Sequence, residues 1–296
     1  MTRKLLQIKN DKICATFDRK GAELVSLKDV ATGLEFLWQA DADFWGRHAP
    51  ILFPIVGKLK GDKYIYDEKE YALSQHGFAR DQVFRVQSET PNSLSFSLSS
   101  NEETKESYPF DFQLLICYQI HKNHLVVNYR VTNKGKSKMY FGIGGHPAFN
   151  VPLDSNLDFE DYHIKLESTE PVSRLPLDGA YIHLEKKTVV QKLLDIPLRH
   201  DIFSQDALIY ATTGPTKLTL EAQNSANKVV VSYDQMPFVG LWSPFPKKAP
   251  FVCLEPWQGL ADTIDSKGEL TQKLGINQLE PNHDFECSYT IQVETK

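Results

Sequence analysis

Hydrophobic and polar residues alternate with a period of two along most of the chain. In residues 93–99, leucine and phenylalanine alternate with serine, which predicts a strand with one buried face. Residues 110–120 and 124–131 are longer runs of the same kind on either side of Lys122-Asn123, an arrangement that predicts a β-hairpin. Similar runs continue toward the C-terminus, at residues 207–210, 217–220, 229–233, 238–242, 251–254 and 287–293.

Helical periodicity is scarce and is limited to a turn or two near residues 43–47 and 190–194. Strands do not alternate with long helical segments, which argues against a doubly wound parallel sheet. Many short strands separated by turn clusters instead predict stacked antiparallel sheets. Because no linker or change in composition divides the chain, we expect residues 1–296 to form one all-β domain, a large antiparallel β-sandwich with few short helices.

The composition narrows the class of protein. Hydrophobic residues make up 41% and charged residues 24%, as in ordinary globular proteins, and the net charge is −5. Basic residues form no long run, so we expect no nucleic-acid partner. No window has the roughly 18 apolar residues of a membrane-spanning helix, and the charged residues 1–11 do not resemble a secretory signal. The four cysteines are far apart in sequence, so we expect reduced thiols and a cytoplasmic location.

Four segments place polar or special residues where a strand pattern would not: residues 45–57, 74–80, 141–150 and 251–257. Taken alone, any His or Arg in them is more often structural than functional. Glu255 is harder to dismiss, because it follows four apolar residues and precedes Pro256. A partly desolvated carboxyl group there would have a raised pKa that suits proton transfer. His146 follows two glycines, which allow a sharp turn or a close backbone approach.

Other kinds of site find little support in the sequence. The Gly142-x-Gly144 pattern lacks the third glycine and the following helix of a dinucleotide loop. The spacings between His48, His76 and His146 match no short metal-ligand motif, and no G-x-S-x-G segment marks a nucleophilic serine. The candidates that remain are an acid and a base, and we expect neither a metal nor another cofactor.

The four segments together resemble the aldose 1-epimerase (galactose mutarotase-like) family, and within it the LacX-type branch. The resemblance depends on Trp45-Gly46-Arg47 with Pro50-Ile51-Leu52-Phe53-Pro54, Gln75-His76-Gly77-Phe78-Ala79-Arg80, Gly144-Gly145-His146-Pro147-Ala148-Phe149 and Cys253-Leu254-Glu255-Pro256-Trp257. They occur in the family's order and span residues 45–257. The resemblance implies a galactose mutarotase-like β-sandwich with a sugar site in an open cleft.

It also implies that His146 is the general acid and Glu255 the general base. Exchange of anomers requires removal of the C1 hydroxyl proton and protonation of the ring oxygen, so that the ring opens to the aldehyde. Rotation about C1–C2 and closure from the other face then give the second anomer. A Glu/His pair can supply both proton transfers near neutral pH, and a small-molecule aldose is the expected partner.

The resemblance assigns binding roles to four more residues. Arg47 and His76 match the contacts to sugar hydroxyls and the ring oxygen. Asp206 corresponds more loosely to the family's hydroxyl-binding aspartate, and Trp242 to an aromatic platform for an apolar sugar face.

Several alternatives stay open. Arg80 is a candidate substrate-binding residue that, with Arg47, Lys58 and Lys60, would suit a hexose 6-phosphate. The plainer alternative is that Arg80 pairs with Asp81 or supports its loop.

A carbohydrate-binding sandwich without catalysis would not need a matched acid and base. A glycosidase would need two carboxylates about 5–9.5 Å apart. Either a monomer or a homodimer is compatible with the sequence.

Overall fold

The computed structural model describes residues 5–295, so most of the N-terminal segment considered above is included, while residues 1–4 and Lys296 lie outside it. The described chain is built mainly of strands and confirms the all-β prediction. It contains one short α-helix, α1 (Glu102–Ser107), and six 3-10 helices. None of the helices within residues 5–295 has the length and apolar character needed to span a membrane.

The strands are β1 (Leu6–Lys9), β2 (Ile13–Phe17), β3 (Leu24–Asp29), β4 (Ile51–Leu52), β5 (Lys63–Tyr66), β6 (Lys69–Ala72), β7 (Arg85–Thr90), β8 (Ser93–Ser99), β9 (Phe112–His121), β10 (His124–Asn133), β11 (Met139–Phe141), β12 (Ile143–Gly145), β13 (Ala148–Asn150), β14 (Tyr162–Ser168), β15 (Ser173–Leu175), β16 (Leu177–Asp178), β17 (Tyr181–Ile182), β18 (Thr188–Val189), β19 (Leu193–Pro197), β20 (Leu208–Ala211), β21 (Thr216–Ala222), β22 (Lys228–Tyr233), β23 (Phe238–Trp242), β24 (Phe251–Gln258), β25 (Asn277–Leu279) and β26 (Asp284–Glu294). The 3-10 helices are Lys60–Asp62, Ala79–Asp81, Phe159–Asp161, Leu184–Lys186, His200–Phe203 and Leu270–Gln272.

Two large antiparallel sheets form the body of the fold. The first has nine strands in the order β19-β14-β21-β22-β26-β10-β9-β8-β7. The second has eight, in the order β18-β15-β20-β23-β24-β12-β4, with β13 pairing with β24 beside this path. Side chains from both sheets, such as Ile116 and Tyr129 from the first and Val239 and Leu254 from the second, belong to one buried cluster. The two sheets therefore face each other across a common core, as in a β-sandwich.

The predicted hairpin is present. Strands β9 and β10 pair in antiparallel register, with His121 opposite His124 at the turn. Along β9 every second side chain is buried, which is the period that the sequence pattern predicted.

The structure has no helix at residues 43–47 or 190–194, so the prediction of short helices there is wrong. The first segment is a turn in which the backbone N–H groups of Phe44 and Trp45 both donate to the carbonyl of Asp41. The second leads into β19, whose pairing with β14 determines its extended conformation. The observed helix, α1, begins at a capping box: the Thr104 N–H donates to the Asn101 side chain at 2.8 Å, and Asn101 N–H donates to the Thr104 hydroxyl at 2.9 Å.

Candidate active site

The candidate residues lie on the face of the eight-stranded sheet that points away from the nine-stranded sheet. On β24, Val252 and Leu254 belong to the main core, so Cys253, Glu255 and Trp257 project from the opposite face. The same alternation on β23 and β20 places Trp242 and Ile209 on that face. Strand geometry alone therefore gathers side chains from distant parts of the sequence on one surface.

A cavity of about 370 Å³ opens on this surface. Its lining comprises Trp45, Gly57, Lys58, Gln75, His76, Arg80, His146, Leu177, Ala180, Asp206, Ala207, Ile209, Trp242, Glu255, Trp257 and Ala261. A larger depression of about 620 Å³ crosses β21, β22 and β26 on the other sheet, but its lining contains no histidine and no buried carboxylate. We therefore place the candidate active site in the smaller cavity.

The register of β24 brings His146 to Glu255. Before Glu255, β24 pairs with β13, with Ala148 opposite Cys253; beyond it, β24 pairs with β12, with Gly144 opposite Trp257. The two pairings share one register, so His146, in the gap between β12 and β13, lies opposite Glu255. The distance from His146 Nε2 to Glu255 Oε2 is 3.1 Å. The strand also extends through Pro256 to Gln258, beyond the end that the sequence suggested.

Two glycines make room for the indole of Trp257 at the base of the cavity. A Cβ on Gly144 would lie 2.6 Å from the Trp257 ring, and one on Gly240 would lie 2.4 Å from it. Both distances are far inside van der Waals contact, so no other residue fits at either position without displacing the ring. The ring in turn borders the carboxyl group of Glu255: burial raises the pKa of that group, and the Trp257 side chain opposes the shift.

His76 is held by the backbone beside the cavity. Its ring Nδ1 accepts a hydrogen bond from the backbone N–H of Gly57 at 3.1 Å. The backbone N–H of His76 in turn donates to the Gly57 carbonyl at 2.9 Å. Because Nδ1 is an acceptor, the proton of the neutral ring is on Nε2. This nitrogen lies 3.3 Å from the amide nitrogen of Gln75, another lining residue. Because a protonated Nε2 and an amide NH2 both donate, the two groups form a hydrogen bond only when the Gln75 amide turns its oxygen to the ring. His76 therefore carries its N–H donor beside Gln75 at the cavity.

Aromatic rings surround His146. Trp45 stacks on its imidazole with centroids 4.9 Å apart, and Trp242 meets it edge-on at 5.8 Å. The two indoles are 5.7 Å apart, and His76 approaches from another side at 5.5 Å. This enclosure buries His146 and provides flat apolar surfaces of the kind on which the C–H face of a sugar ring can lie.

Arg80 and Arg47 occupy different positions. Arg80 lines the cavity and donates to the Gln75 carbonyl at 2.7 Å, so it also supports its own loop. Arg47 does not belong to the cavity lining; its guanidinium pairs with Asp81 at 3.0 Å. The positive charge of Arg47 nevertheless contributes to lowering the pKa of both His76 and His146.

Asp206 lies at the cavity just before β20, with its backbone in the left-handed region at φ 68°. Its carboxylate accepts a hydrogen bond from the N–H of Ala207 at 2.8 Å. Burial raises the pKa of Asp206, and the Trp242 indole N–H opposes that shift. The backbone conformation, uncommon outside glycine, directs this carboxylate toward the site.

Burial dominates the electrostatics of the central pair. The pKa of Glu255 is raised well above its ordinary value, first by burial and then by the nearby charge of Asp206. The pKa of His146 is lowered to about 3, again chiefly by burial, with Arg80 and Arg47 adding to the effect. Burial also lowers the pKa of His76 well below its ordinary value. At neutral pH both imidazoles are therefore neutral, and burial favours the protonated form of Glu255.

Within residues 5–295, one cluster has the donor atoms of a metal site: His146, Cys253 and Glu255, whose ligand atoms lie within 4.8 Å of one another. Burial raises the pKa of the Cys253 thiol and of the Glu255 carboxyl group well above their ordinary values. Metal ligands of these types bind in their deprotonated forms, so an ion would have to displace a proton from each. The donor set therefore fits proton transfer better than metal binding.

Six of the seven residues singled out from sequence border one cavity, namely His76, Arg80, His146, Asp206, Trp242 and Glu255. The seventh, Arg47, lies outside the cavity lining and pairs with Asp81. The other lining residues include Trp45, Gln75, Trp257, Leu177 and Ala180, to which the sequence reasoning assigned no role. The first three lie in the quoted motifs, and that position was the available signal. Leu177 and Ala180 belong to the β16–β17 hairpin, which carried no signal in the sequence.

Comparisons with known proteins find similarity along nearly the whole chain. Residues 4–275 match the family model described as aldose 1-epimerase. The chain is 32% identical to the plasmid-encoded protein LacX of Lactococcus lactis subsp. lactis, over 97% of this chain and 99% of that protein. It superposes on a galactose mutarotase related enzyme from Lactobacillus acidophilus with a TM-score of 0.96 and 40% identity, covering 99% of this chain and 100% of that one. A galactose mutarotase-like protein from Lactobacillus casei gives 0.90 and 33%, with coverages of 98% and 100%.

Proposed function

The chain belongs to the aldose 1-epimerase family, and from this premise we propose that it interconverts the α and β anomers of an aldohexose by opening and reclosing the sugar ring. The observation that carries the proposal is the contact of 3.1 Å between His146 Nε2 and Glu255 Oε2 at the cavity. A pure binding site has no need for two buried proton-transfer groups held together in this way.

The proposed reaction uses two oxygens that share one carbon. Glu255 removes the proton from the hydroxyl on C1 while His146 protonates the ring oxygen, and the bond between C1 and the ring oxygen breaks. The products of this step are a free aldehyde and a hydroxyl on C5. After rotation about C1–C2 the C5 hydroxyl attacks the other face of the aldehyde, and both protons return. Because both reacting oxygens are bonded to C1, an acid and a base in direct contact can reach them together.

The proton count of the pair suits this reaction. Burial favours the protonated carboxyl group of Glu255 and the neutral ring of His146, so in the proposed resting state the pair holds one transferable proton. Its transfer from Glu255 to His146 gives the carboxylate base and the imidazolium acid that the reaction requires. The same proton can return in the reverse direction, so one pair catalyses both opening and closure without a cofactor.

The remaining lining residues supply binding. The neutral His76 ring carries its proton on Nε2, and from its place in the cavity lining this group can donate to a sugar oxygen and stabilise charge developing there. Asp206 can accept from sugar hydroxyls, and Trp242 and Trp45 offer flat apolar surfaces. Arg47 would act on the site through its charge and its pair with Asp81.

Anomer exchange is measured directly. The protein should speed the approach to equilibrium of freshly dissolved α-glucose or α-galactose, followed by polarimetry, and exchange NMR should extend the panel to other free and phosphorylated aldoses. If no aldose or aldose 6-phosphate is accelerated but sugars bind, the chain is a carbohydrate-binding module. Release of a sugar from a glycoside would favour the hydrolase, since Asp206 is a second carboxylate at the cavity.

A second candidate, epimerisation of a hexose 6-phosphate, is favoured by two cations at the cavity. Lys58 and Arg80 both border it, and cationic side chains are typical partners of phosphate. Arg80→Ala should then lower kcat/KM for hexose 6-phosphates at least tenfold while changing the value for free hexoses much less. An equal loss for both substrates would assign Arg80 to the support of the Gln75 loop, to which it donates a hydrogen bond.

A further inference from the structure

Asp262 is a buried carboxylate that lies outside the proposed acid–base pair. It is 3% exposed, and its Oδ1 accepts from Nζ of Lys273 at 2.8 Å, a lysine that is itself 9% exposed. Its Oδ2 accepts from the backbone N–H of Lys60 at 2.9 Å. A charged pair so far from solvent is costly to bury, and such a pair persists only where its hydrogen bonds are well made.

The backbone of Asp262 makes two more hydrogen bonds to other segments. Its N–H donates to the carbonyl of Lys58 at 2.9 Å, and its carbonyl accepts from the N–H of Ile182 at 2.9 Å. Each segment reached in this way borders the cavity: Lys58 and Gly57 on one, and the β16–β17 hairpin on the other. Asp262 thus joins three parts of the cavity wall, since its neighbour Ala261 is also a lining residue.

Gly57 and Ala261 are packed so closely that the 57–60 segment has little room to move relative to residues 261–262. Gly57 has a φ of 74°, and a Cβ on it would lie 2.6 Å from the backbone of Ala261. The N–H of this same glycine is the donor to His76 Nδ1. Any shift of the 57–60 segment relative to residues 261–262 therefore changes the hydrogen bond that decides which His76 nitrogen carries the proton.

We propose that the Asp262 side chain, its charge balanced by Lys273, is a positioning device: its hydrogen bond to the Lys60 N–H anchors residues 57–60, so that Gly57 fixes the Nε2–H tautomer of His76 at the cavity. This inference rests on the proposed epimerase function for its effect on turnover, but not for its effect on the tautomer. Asp262 and Lys273 touch no substrate in this scheme and act through His76.

Two double variants separate positioning from stability. Asp262→Asn/Lys273→Met removes the ion pair but keeps a side-chain carbonyl that can accept from Lys60 N–H. Asp262→Leu/Lys273→Met removes the ion pair and that acceptor together. Both avoid an unpaired buried charge, which is the usual cause of a large loss of stability when one partner alone is removed. The exposed pair of Lys138 and Glu280, 2.9 Å apart, serves as the control in Lys138→Met/Glu280→Gln.

We expect the leucine double variant to lower kcat at least tenfold with a smaller change in KM, and the asparagine double variant to stay within about threefold of the wild type. ¹⁵N NMR of the imidazoles, with His76 assigned by its loss in His76→Asn, should show the Nε2–H tautomer in the wild type and the asparagine variant. In the leucine variant the signal should shift toward a mixture of tautomers. The control should match the wild type in both measurements.

Equal activity and an unchanged tautomer in the two double variants would overturn the proposal and leave the pair a purely structural role. A wild-type His76 that carries its proton on Nδ1 would overturn it as well, and this measurement does not require any variant to fold. If the wild type epimerises no sugar, the proposed function fails, yet the tautomer comparison still decides whether Asp262 positions His76.

Discussion

Replacing Glu255 with glutamine should make the protein slower and more stable at once. The substitution keeps the size of the side chain and removes its ability to exchange a proton. Glu255 is 1% exposed and 3.1 Å from His146, so its proton is held in a place where the ionised form is strongly disfavoured. Burial suits the carboxyl group to proton transfer, but it also lowers the free energy of unfolding. Glu255→Gln should therefore lower the rate and raise the free energy of unfolding.

The loss of rate follows from the role of the base. A positioned proton-transfer group contributes roughly 10² to 10⁴ in rate, so the variant should lose about 3 to 5 kcal/mol of transition-state stabilisation. The gain in stability follows from linkage. Burial raises the folded-state pKa of Glu255 above its ordinary value of 4.5, so its stabilising contribution is complete below pH 4.5 and is lost as the pH rises through the folded-state pKa. Glutamine has no such dependence.

The rate is measured by polarimetry, with the aldose on which the wild type acts fastest. The free energy of unfolding is measured by urea unfolding at a series of pH values. The variant's advantage in stability should be small near pH 4.5 and should grow toward neutral pH. A variant that epimerises within a few-fold of the wild type would assign the base to another residue. Lower stability than the wild type at neutral pH would contradict a raised folded-state pKa of Glu255.

Three further predictions test other parts of the molecule. In the cycle of His146→Asn and Glu255→Gln, the double variant should be no more than about tenfold slower than the slower single variant, because groups that act as a unit lose their effect together; additive losses would refute the shared proton. Trp242→Ala should weaken sugar binding about 2- to 10-fold by calorimetry, the worth of one aromatic contact, and unchanged affinity would exclude Trp242 as a platform. Asn101→Ala should cost about 1 kcal/mol in urea unfolding without changing turnover, since it removes the α1 cap.

The strands could be predicted from the sequence because alternating runs and short continuous apolar runs of β-forming residues both indicate buried strands. The run at residues 238–242 coincides with β23, and the run at 229–233 differs from β22 by one residue. Alternation also determines which side chains share a face, so Glu255 and Trp257 could be expected together. What it does not report is the order of strands in a sheet, which depends on contacts between residues far apart in sequence.

The errors and omissions come from interactions that no local pattern records. The helix at Glu102–Ser107 depends on a cap between Asn101 and Thr104, and its six residues are too few for a visible period. The Arg47 side chain has a carboxylate partner 34 residues away, Asp81, and that partner holds it outside the cavity lining. The β16–β17 hairpin joins the cavity through backbone bonds to residues near Asp262, and backbone bonds leave no trace in side-chain type.

The meeting of His146 and Glu255 is a consequence of register rather than of either motif alone. Since β12 and β13 continue one register along β24, the chain between them can leave the ladder at His146-Pro147 without changing which residues face each other. A shift of one residue would turn His146 toward the main core and leave Glu255 buried without its partner. Gly144 and Gly240 resist such a shift, because each accommodates the Trp257 ring only at its present position. Gly144, Gly240 and Trp257, which take no part in the proton transfers, therefore hold the acid and the base together.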